Sequence, residues 1–211
     1  MQYFLEHLAT CVSAISGVLS ARGKRVDLFG VVVLALVTAL GGGTLRDTIL
    51  DLRPVFWVDD SSYVVTAAVC ALATFFIARF WTSLSPLADG ALQLADAASL
   101  ALFTLVGTEK AMSAGVPPVV GMAMGVITGT AGGMIRDTLV GEIPMVFRRQ
   151  IYLYATASLA GAAVFVGLRG IVESNLLRLL AICTVFGLRL AAIWWKIYLP
   201  AFEPKENIHQ G

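Results

Sequence analysis

Long apolar stretches alternate with short polar segments along almost the whole chain of 211 residues. A helix needs about 20 residues to cross a hydrocarbon core of about 30 Å, so each stretch predicts one transmembrane helix. Proline, glycine and aspartate in the connecting segments are typical of turns. The pattern predicts an all-α integral membrane protein with seven transmembrane helices, at residues 4–21, 26–45, 63–81, 87–107, 116–135, 151–168 and 176–199.

One short motif occurs twice in this apolar background. Gly-Gly-Thr-Leu-Arg-Asp-Thr at residues 42–48 returns as Gly-Gly-Met-Ile-Arg-Asp-Thr at residues 132–138. Self-similarity at a fixed spacing indicates duplicated structural units. The same spacing aligns four further pairs: Thr38 with Thr128, Pro54 with Pro144, Gly17 with Gly107, and Glu6 with Asp96.

The two motifs lie in the second and fifth predicted spans, so the chain crosses the membrane three times between them. An odd number of crossings reverses the direction, and the two copies are therefore expected to be inverted. Residues 1–85 form the first predicted three-helix repeat and residues 86–172 the second, inverted one. Residues 173–211 supply the seventh helix and a polar C-terminal tail. In transport proteins with such repeats, the pathway usually lies where the two halves meet.

The paired glycines favour a bent or interrupted helix, because glycine costs about 1 kcal/mol relative to alanine inside a helix. Glycine-interrupted spans at matching places in two halves are typical of a transport site; the alternative is that the glycines only allow close packing. Released carbonyl groups and threonine hydroxyl groups would replace part of the hydration shell of a monovalent cation. Alternatively, each hydroxyl bonds to the carbonyl of the preceding turn. The candidate pathway residues are Thr38, Gly41, Gly42, Gly43, Thr44, Thr128, Thr130, Gly132 and Gly133.

Each motif also contains a charge pair, Arg46-Asp47 or Arg136-Asp137. Adjacent residues on a helix point about 100° apart and rarely pair with each other. We therefore expect pairing between the repeats, Arg46 with Asp137 and Arg136 with Asp47, or with other helices if the motifs lie at opposite faces. A structural role is favoured over direct ion binding.

Four further charges lie inside or at the end of predicted spans. Asp96 falls near the middle of the fourth span and Arg189 near the middle of the seventh, and intramembrane charges are costly enough to be functional by default. The simpler alternative is that these two pair with each other. Arg178 shares a helix face with Arg189 and is expected to point into the bundle. Lys110 either extends its ammonium group to water or acts as a gating charge.

Composition restricts the class of protein. Hydrophobic residues make up 58% of the chain and charged residues 14%, against about 25% charged in soluble domains. Cys11, Cys70 and Cys183 lie in apolar spans, so no disulfide is predicted. No phosphate-binding loop, structural metal site or catalytic constellation stands out. We predict no enzyme activity, no nucleic-acid partner and contact with membrane lipid.

The distribution of basic residues predicts the orientation. With the N-terminus outside, nine basic residues face the inner side and five face the outer side, which agrees with the positive-inside rule. The first span lacks preceding basic residues and is expected to be a transmembrane helix, not a cleaved signal peptide. The inner set is Arg22, Lys24, Arg25, Arg79, Arg136, Arg148, Arg149, Lys196 and Lys205, and the outer set is Arg46, Arg53, Lys110, Arg169 and Arg178.

The paired motifs, each followed by a proline at Pro54 or Pro144, resemble those of the prokaryotic trimeric intracellular cation (TRIC) channel family, also known as the glycine transporter domain family. The resemblance implies two inverted three-helix bundles plus one helix, a homotrimer in the prokaryotic inner (plasma) membrane, and a potassium pathway in each subunit. The kinked glycine motifs would be residues 41–43 and 131–133, with Ala131 departing from the glycine triplet. Lys110 would correspond to a basic residue linked to gating.

Two functions remain open from the sequence. A channel would pass potassium ions, with no cofactor, through a pathway of carbonyl and hydroxyl dipoles. A secondary transporter would bind glycine or another small zwitterion between the repeats and alternate its access. The glycine pairs lie toward the C-terminal half of their spans, where released carbonyl groups favour a cation. This position favours the channel.

Overall fold

The computed structural model describes residues 1–80, 85–148 and 153–197. These ranges form seven long α-helices, one short α-helix and a turn of 3-10 helix at Met145–Phe147. Five residues of the predicted spans (81, 151, 152, 198 and 199) lie outside the described residues, as do Arg149 and Lys205 of the charge count. The helices are α1 (Gln2–Ser20), α2 (Leu28–Ile49), α3 (Phe56–Asp59), α4 (Ser62–Phe80), α5 (Ser85–Ser113), α6 (Pro118–Leu139), α7 (Tyr154–Leu168) and α8 (Ser174–Trp195).

Each of the seven predicted spans corresponds to one long helix, which confirms the all-α fold predicted from the sequence. Within the described ranges, five helices are long and apolar enough to cross a membrane, and two shorter apolar helices, at Ser62–Ala78 and Tyr154–Leu168, are the third of each repeat. Large apolar side chains such as Val65, Val69 and Phe76 are exposed on α4. Such a surface is suited to contact with lipid.

The second helix of each repeat ends in the same way. A residue with positive φ follows it in both copies, Asp51 (φ 51°) in the first and Gly141 (φ 72°) in the second. The amide of the next residue then donates back to the carbonyl of the motif aspartate, at 2.8 Å and 2.9 Å. This termination satisfies carbonyl groups of the last helical turn. The duplication therefore extends beyond the motif into the loop that follows it.

Four helices, two from each repeat, form the centre of the bundle. Helix α1 packs against α5, and α2 packs against α6. The third helix of each repeat packs on the outside of its own repeat, α4 against α1 and α2, and α7 against α5 and α6. Helix α8 has no counterpart and packs against α5 and α7.

Candidate functional site

Helices α2 and α6 cross at the repeated glycines. Gly42 faces the carbonyl oxygen of Thr128, and Gly132 faces the carbonyl oxygen of Thr38. Residue numbers rise along one helix as they fall along the other, so the helices are antiparallel and the crossing has approximate two-fold symmetry. A Cβ atom on either glycine would overlap the facing oxygen. Only glycine lets the two backbones come this close.

Neither helix is interrupted at the glycines. Helix α2 is continuous from Leu28 to Ile49, and α6 is continuous from Pro118 to Leu139. The predicted interruption is therefore wrong for this conformation, and close packing accounts for the crossing. The other candidate glycines have different neighbours: Gly41 lies against Ile135, Gly43 against the ring of Phe56, and Gly133 beside the hydroxyl of Tyr154.

The four candidate threonines donate their hydroxyl hydrogens within their own helices. Each bonds to the carbonyl four residues earlier, the pattern that serine and threonine adopt inside helices. A hydroxyl accepts as well as donates, so the oxygens of Thr38, Thr128 and Thr130 can still accept, whereas that of Thr44 already accepts from Trp57 Nε1 at 2.9 Å. The bonds run from Thr38 to Leu34 (2.6 Å), Thr44 to Leu40 (2.7 Å), Thr128 to Met124 (2.6 Å) and Thr130 to Val126 (2.8 Å).

At one end of the crossing, Glu6, Arg46, Asp47 and Lys110 form the first charge cluster. Arg46 Nε donates to Asp47 Oδ1 at 2.7 Å, and Lys110 Nζ lies 3.2 Å from Glu6 Oε1. The ring of Phe56 lies between the two pairs, with its centroid 5.5 Å from Arg46 Cζ and 5.6 Å from Lys110 Nζ. Cations at this distance from a ring are attracted to its face. Two acids balance two bases.

Glu6 belongs to the first charge cluster, although the sequence identified it only as the repeat partner of Asp96. Its carboxylate accepts a hydrogen bond from the hydroxyl of Tyr63 at 2.5 Å and also binds Lys110. The imidazole of His7 stacks on the ring of Tyr63, with centroids 4.3 Å apart. The signal that identifies Glu6 is its alignment with an intramembrane acid at the repeat spacing.

At the other end of the crossing, Asp96, Arg136, Asp137 and Arg189 form the second charge cluster. Arg136 Nη1 lies 3.0 Å from Asp96 Oδ1, and its Nε donates to Asp137 Oδ1 at 2.8 Å. The same guanidinium also donates to the hydroxyl of Ser16 on α1. Arg136 therefore joins both repeats, and this cluster again contains two acids and two bases.

The predicted pairing between the two motifs is wrong. Each arginine bonds to the aspartate that follows it, instead of Arg46 pairing with Asp137 and Arg136 with Asp47. The antiparallel crossing places the two aspartates on opposite sides of its centre, about 20 Å apart along the helices. A long arginine side chain turns back far enough to reach the neighbouring carboxylate.

The simpler alternative for the intramembrane charges, a direct pair between Asp96 and Arg189, also needs correction. The ion pair of Asp96 is with Arg136. Arg189 lies over the ring of Tyr154, with Cζ 4.8 Å from the centroid, and the hydroxyl of Tyr154 donates to Asp96 at 3.2 Å. Arg178, on the same face of α8, binds Glu109 at 2.6 Å. Both arginines point into the bundle as predicted.

A cavity opens beside each charge cluster. The first cavity has a volume of about 520 Å³ and is lined by Asp47, Phe56, Tyr63 and Lys110 among others. The second has a volume of about 400 Å³, and its polar lining residues include Ser20, Arg22, Lys24, Asp137, Glu142 and Arg148. The motif aspartates thus face two separate cavities at opposite ends of the α2 and α6 crossing.

A row of buried polar side chains on α1 connects the levels of the two cavities. Glu6, Thr10, Ser13 and Ser16 are each at most 6% exposed. They recur every three or four residues and so share one face of the helix. From Glu6 to Ser20, which lines the second cavity, the row covers about 21 Å at 1.5 Å per residue. This row was not predicted from the sequence.

The second cavity includes an ion pair whose pH dependence is predictable. Glu142 Oε1 lies 2.6 Å from Lys24 Nζ. The hydrogen bond from Lys24, and secondly the positive charge of Lys24, lower the pKa of Glu142 below its ordinary value of 4.5. A carboxyl group whose pKa is lower in the folded state stabilises the fold at pH values above its unfolded pKa. This stabilisation is lost as the pH falls through the folded pKa. We expect Lys24→Gln to lower the unfolding temperature slightly at neutral pH and not at about pH 3. An equal effect at both pH values would contradict this assignment.

Comparison with known structures identifies the fold. The TRIC channel orthologue from Rhodobacter sphaeroides is 38% identical, with a TM-score of 0.84 over 93% of this chain and 98% of that chain. A prokaryotic TRIC channel crystallised in 0.5 M KCl is 28% identical, with a TM-score of 0.86 over 94% and 98% of the two chains. A family model described as "Glycine transporter" matches residues 3–79 and again residues 93–169. The chain belongs to the TRIC family.

The match of the "Glycine transporter" model agrees with the repeat seen in the sequence, because its two matched segments are offset by the spacing of the two motifs. Two bacterial relatives extend over almost all of this chain. The inner membrane protein YadS of Escherichia coli K12 is 42% identical, covering 97% of this chain and 98% of that protein. A membrane protein of Vibrio cholerae is 41% identical, covering 95% and 82%. Neither name states an activity.

Proposed function

We propose that this protein is a potassium channel of the prokaryotic inner membrane, with a separate pathway in each subunit. The pathway would run between the two cavities through the central helices α1, α2, α5 and α6. The observation that carries this proposal is the pair of cavities at opposite ends of the α2 and α6 crossing, each bordered by a motif aspartate. The similar solved structures are those of TRIC cation channels.

Polar groups line the interior between the cavities, and this makes it suited to an ion. Buried hydroxyl groups of α1 lie beside the carbonyl groups of the crossing, and Ser13 donates to the carbonyl oxygen of Thr38 at 3.1 Å. Oxygen dipoles of this kind replace water around a monovalent cation without adding fixed charge. Gly42 and Gly132 close the backbones onto each other. We infer that this conformation is closed and that opening separates α2 from α6 near Thr38 and Thr128.

The buried charges favour a cation over an anion. Among the described residues, four acids and three arginines are buried, and they leave one negative charge to be balanced. Lys110, whose side chain is 23% exposed, supplies the missing positive charge through Glu6. A permeating cation near Glu6 would take over that role when the ammonium group moves away. The buried acids are Glu6, Asp47, Asp96 and Asp137, and the buried arginines are Arg46, Arg136 and Arg189.

The alternative function, transport of glycine or a related zwitterion, follows from the description of the family model. A zwitterion needs a cationic partner for its carboxylate as well as an anionic partner for its amine. Arg46 and Arg136, the arginines nearest the crossing, each bind the adjacent aspartate. The central interior is therefore better suited to an ion without its own carboxylate.

We further propose a homotrimer with the N-terminus outside and the C-terminus in the cytoplasm. One similar structure is described as trimeric. Arg22, Lys24 and Arg148 line the second cavity together, while Lys110 lines the first. The positive-inside rule assigns the more basic end to the cytoplasm. On this basis, the second cavity opens to the cytoplasm and the first to the outer side.

Reconstitution in planar bilayers under a potassium gradient tests the function. We expect discrete unitary currents that reverse near the potassium equilibrium potential. The matched experiment uses vesicles containing the same protein and labelled glycine. Glycine accumulation without unitary currents would overturn the channel and support the transporter, whereas currents without accumulation would do the opposite.

A further inference from the structure

The sequence repeat accounts for three of the four charges in each cluster. It supplies one acid, one arginine and one aspartate to each, and so leaves one net negative charge at each end of the crossing. The fourth member is not repeated, because Lys110 and Arg189 align with Ser20 and Ser99 at the repeat spacing. Lys110 belongs to α5, but Arg189 belongs to α8, the helix outside the repeat.

Arg189 is placed to balance the second cluster. Its side chain is buried, with 1% of the residue exposed. The ring of Tyr154 lies against its guanidinium, and the hydroxyl of that ring donates to Asp96. A buried charge in a membrane span is costly and normally has a compensating partner.

The two unrepeated cations differ in their freedom to move. The side chain of Lys110 is 23% exposed and lines the first cavity. Arg189 is enclosed between α5 and α7, which are the helices that α8 contacts. The same net charge is thus balanced by an accessible ammonium group at one end and by an enclosed guanidinium at the other.

We propose that Arg189 is the fixed counter-charge that limits cation entry from the second cavity, as Lys110 does at the first. This inference rests on the proposed function and concerns the regulation of the same pathway. Without Arg189, the second cluster would carry one net negative charge, and Asp137 faces the cavity. A net negative charge at a mouth raises the local cation concentration and the rate of entry from that side.

Rectification in planar bilayers with equal potassium on both sides tests the proposal. Arg189→Met is expected to increase the current entering from the second cavity relative to the opposite current by about twofold, because one unit charge near the mouth changes the energy of a cation there by about RT. Lys110→Met is expected to change the ratio in the opposite direction. The control is the double variant Glu109→Gln/Arg178→Gln, which removes one acid and one base outside both clusters and should leave the ratio unchanged. An unchanged ratio in Arg189→Met would overturn the proposal.

A second measurement covers the case in which Arg189→Met does not fold. The double variant Asp96→Asn/Arg189→Met restores neutrality, so we expect it to recover the yield of monodisperse protein and the wild-type current ratio. A double variant that folds no better than Arg189→Met would overturn the counter-charge role. This comparison of yields requires no current. If the wild-type protein carries no potassium current, the proposed function fails, while the yields still decide whether Arg189 balances Asp96.

Discussion

Gly42→Ala and Gly132→Ala are expected to be among the most damaging small substitutions in the chain. The added methyl group would overlap a backbone carbonyl oxygen of the facing helix, Thr128 for Gly42 and Thr38 for Gly132. A backbone cannot rotate away as a side chain does, so α2 and α6 must separate. We expect a loss of about 3 kcal/mol, which lowers the unfolding temperature by about 6–12 °C for a protein of this size.

The control for this prediction is Gly187→Ala on α8. No atom of the described residues lies within 4 Å of the place that a Cβ atom at position 187 would take, and alanine is the better helix former by about 1 kcal/mol. We expect an unchanged or raised unfolding temperature for this variant. Measurements on the detergent-solubilised protein should separate the two classes clearly. Equal melting of Gly42→Ala, Gly132→Ala and the wild type would show that the crossing is not as close as described.

The glycine crossing also shows what the sequence could predict and what it could not. The repeat drew attention to Gly42 and Gly132 as equivalent positions in two helices of opposite direction. It did not reveal that the two helices contact each other there, because this depends on how the repeats dock. A glycine pair that allows a helix to break and one that allows a close crossing have the same sequence. The contact partner, a carbonyl of the other repeat, decides between them.

The seven helices were predictable because the length of an apolar stretch directly reflects the thickness of the membrane. The partners of the charged residues were not. Glu6 and Lys110 are far apart in sequence and meet only because α1 packs against α5. The pairing of Arg46 with Asp47 depends on the flexible arginine side chain, which the angle between adjacent helix positions does not describe. The repeat nevertheless identified Glu6 and Asp96 as equivalent acids.

Arg136→Met is expected to be more damaging than Arg46→Met, although both arginines belong to the same motif. Arg136 binds two buried acids, Asp96 and Asp137, whereas Asp47 is the acid bound to Arg46. Removing one partner of a buried ion pair costs about 3–5 kcal/mol because the remaining charge is uncompensated. Loss of Arg136 breaks two buried ion pairs and leaves Arg189 alone to balance two acids, whereas loss of Arg46 breaks one ion pair. Unfolding temperature and the yield of monodisperse protein measure the difference.

Two further variants isolate the cause of this difference. Adding Asp96→Asn to Arg136→Met removes one of the two acids that have lost their ion-pair partner, so we expect the double variant to approach the stability of Arg46→Met. Arg53→Met is the surface control, because the side chain of Arg53 is 60% exposed and lies 3.7 Å from Asp51; its effect should stay within about 0.5 kcal/mol. Equal losses for Arg46→Met and Arg136→Met, with no recovery from Asp96→Asn, would contradict the role of Asp96. Recovery would show that α5 supplies the charge that makes the two copies of the motif unequal.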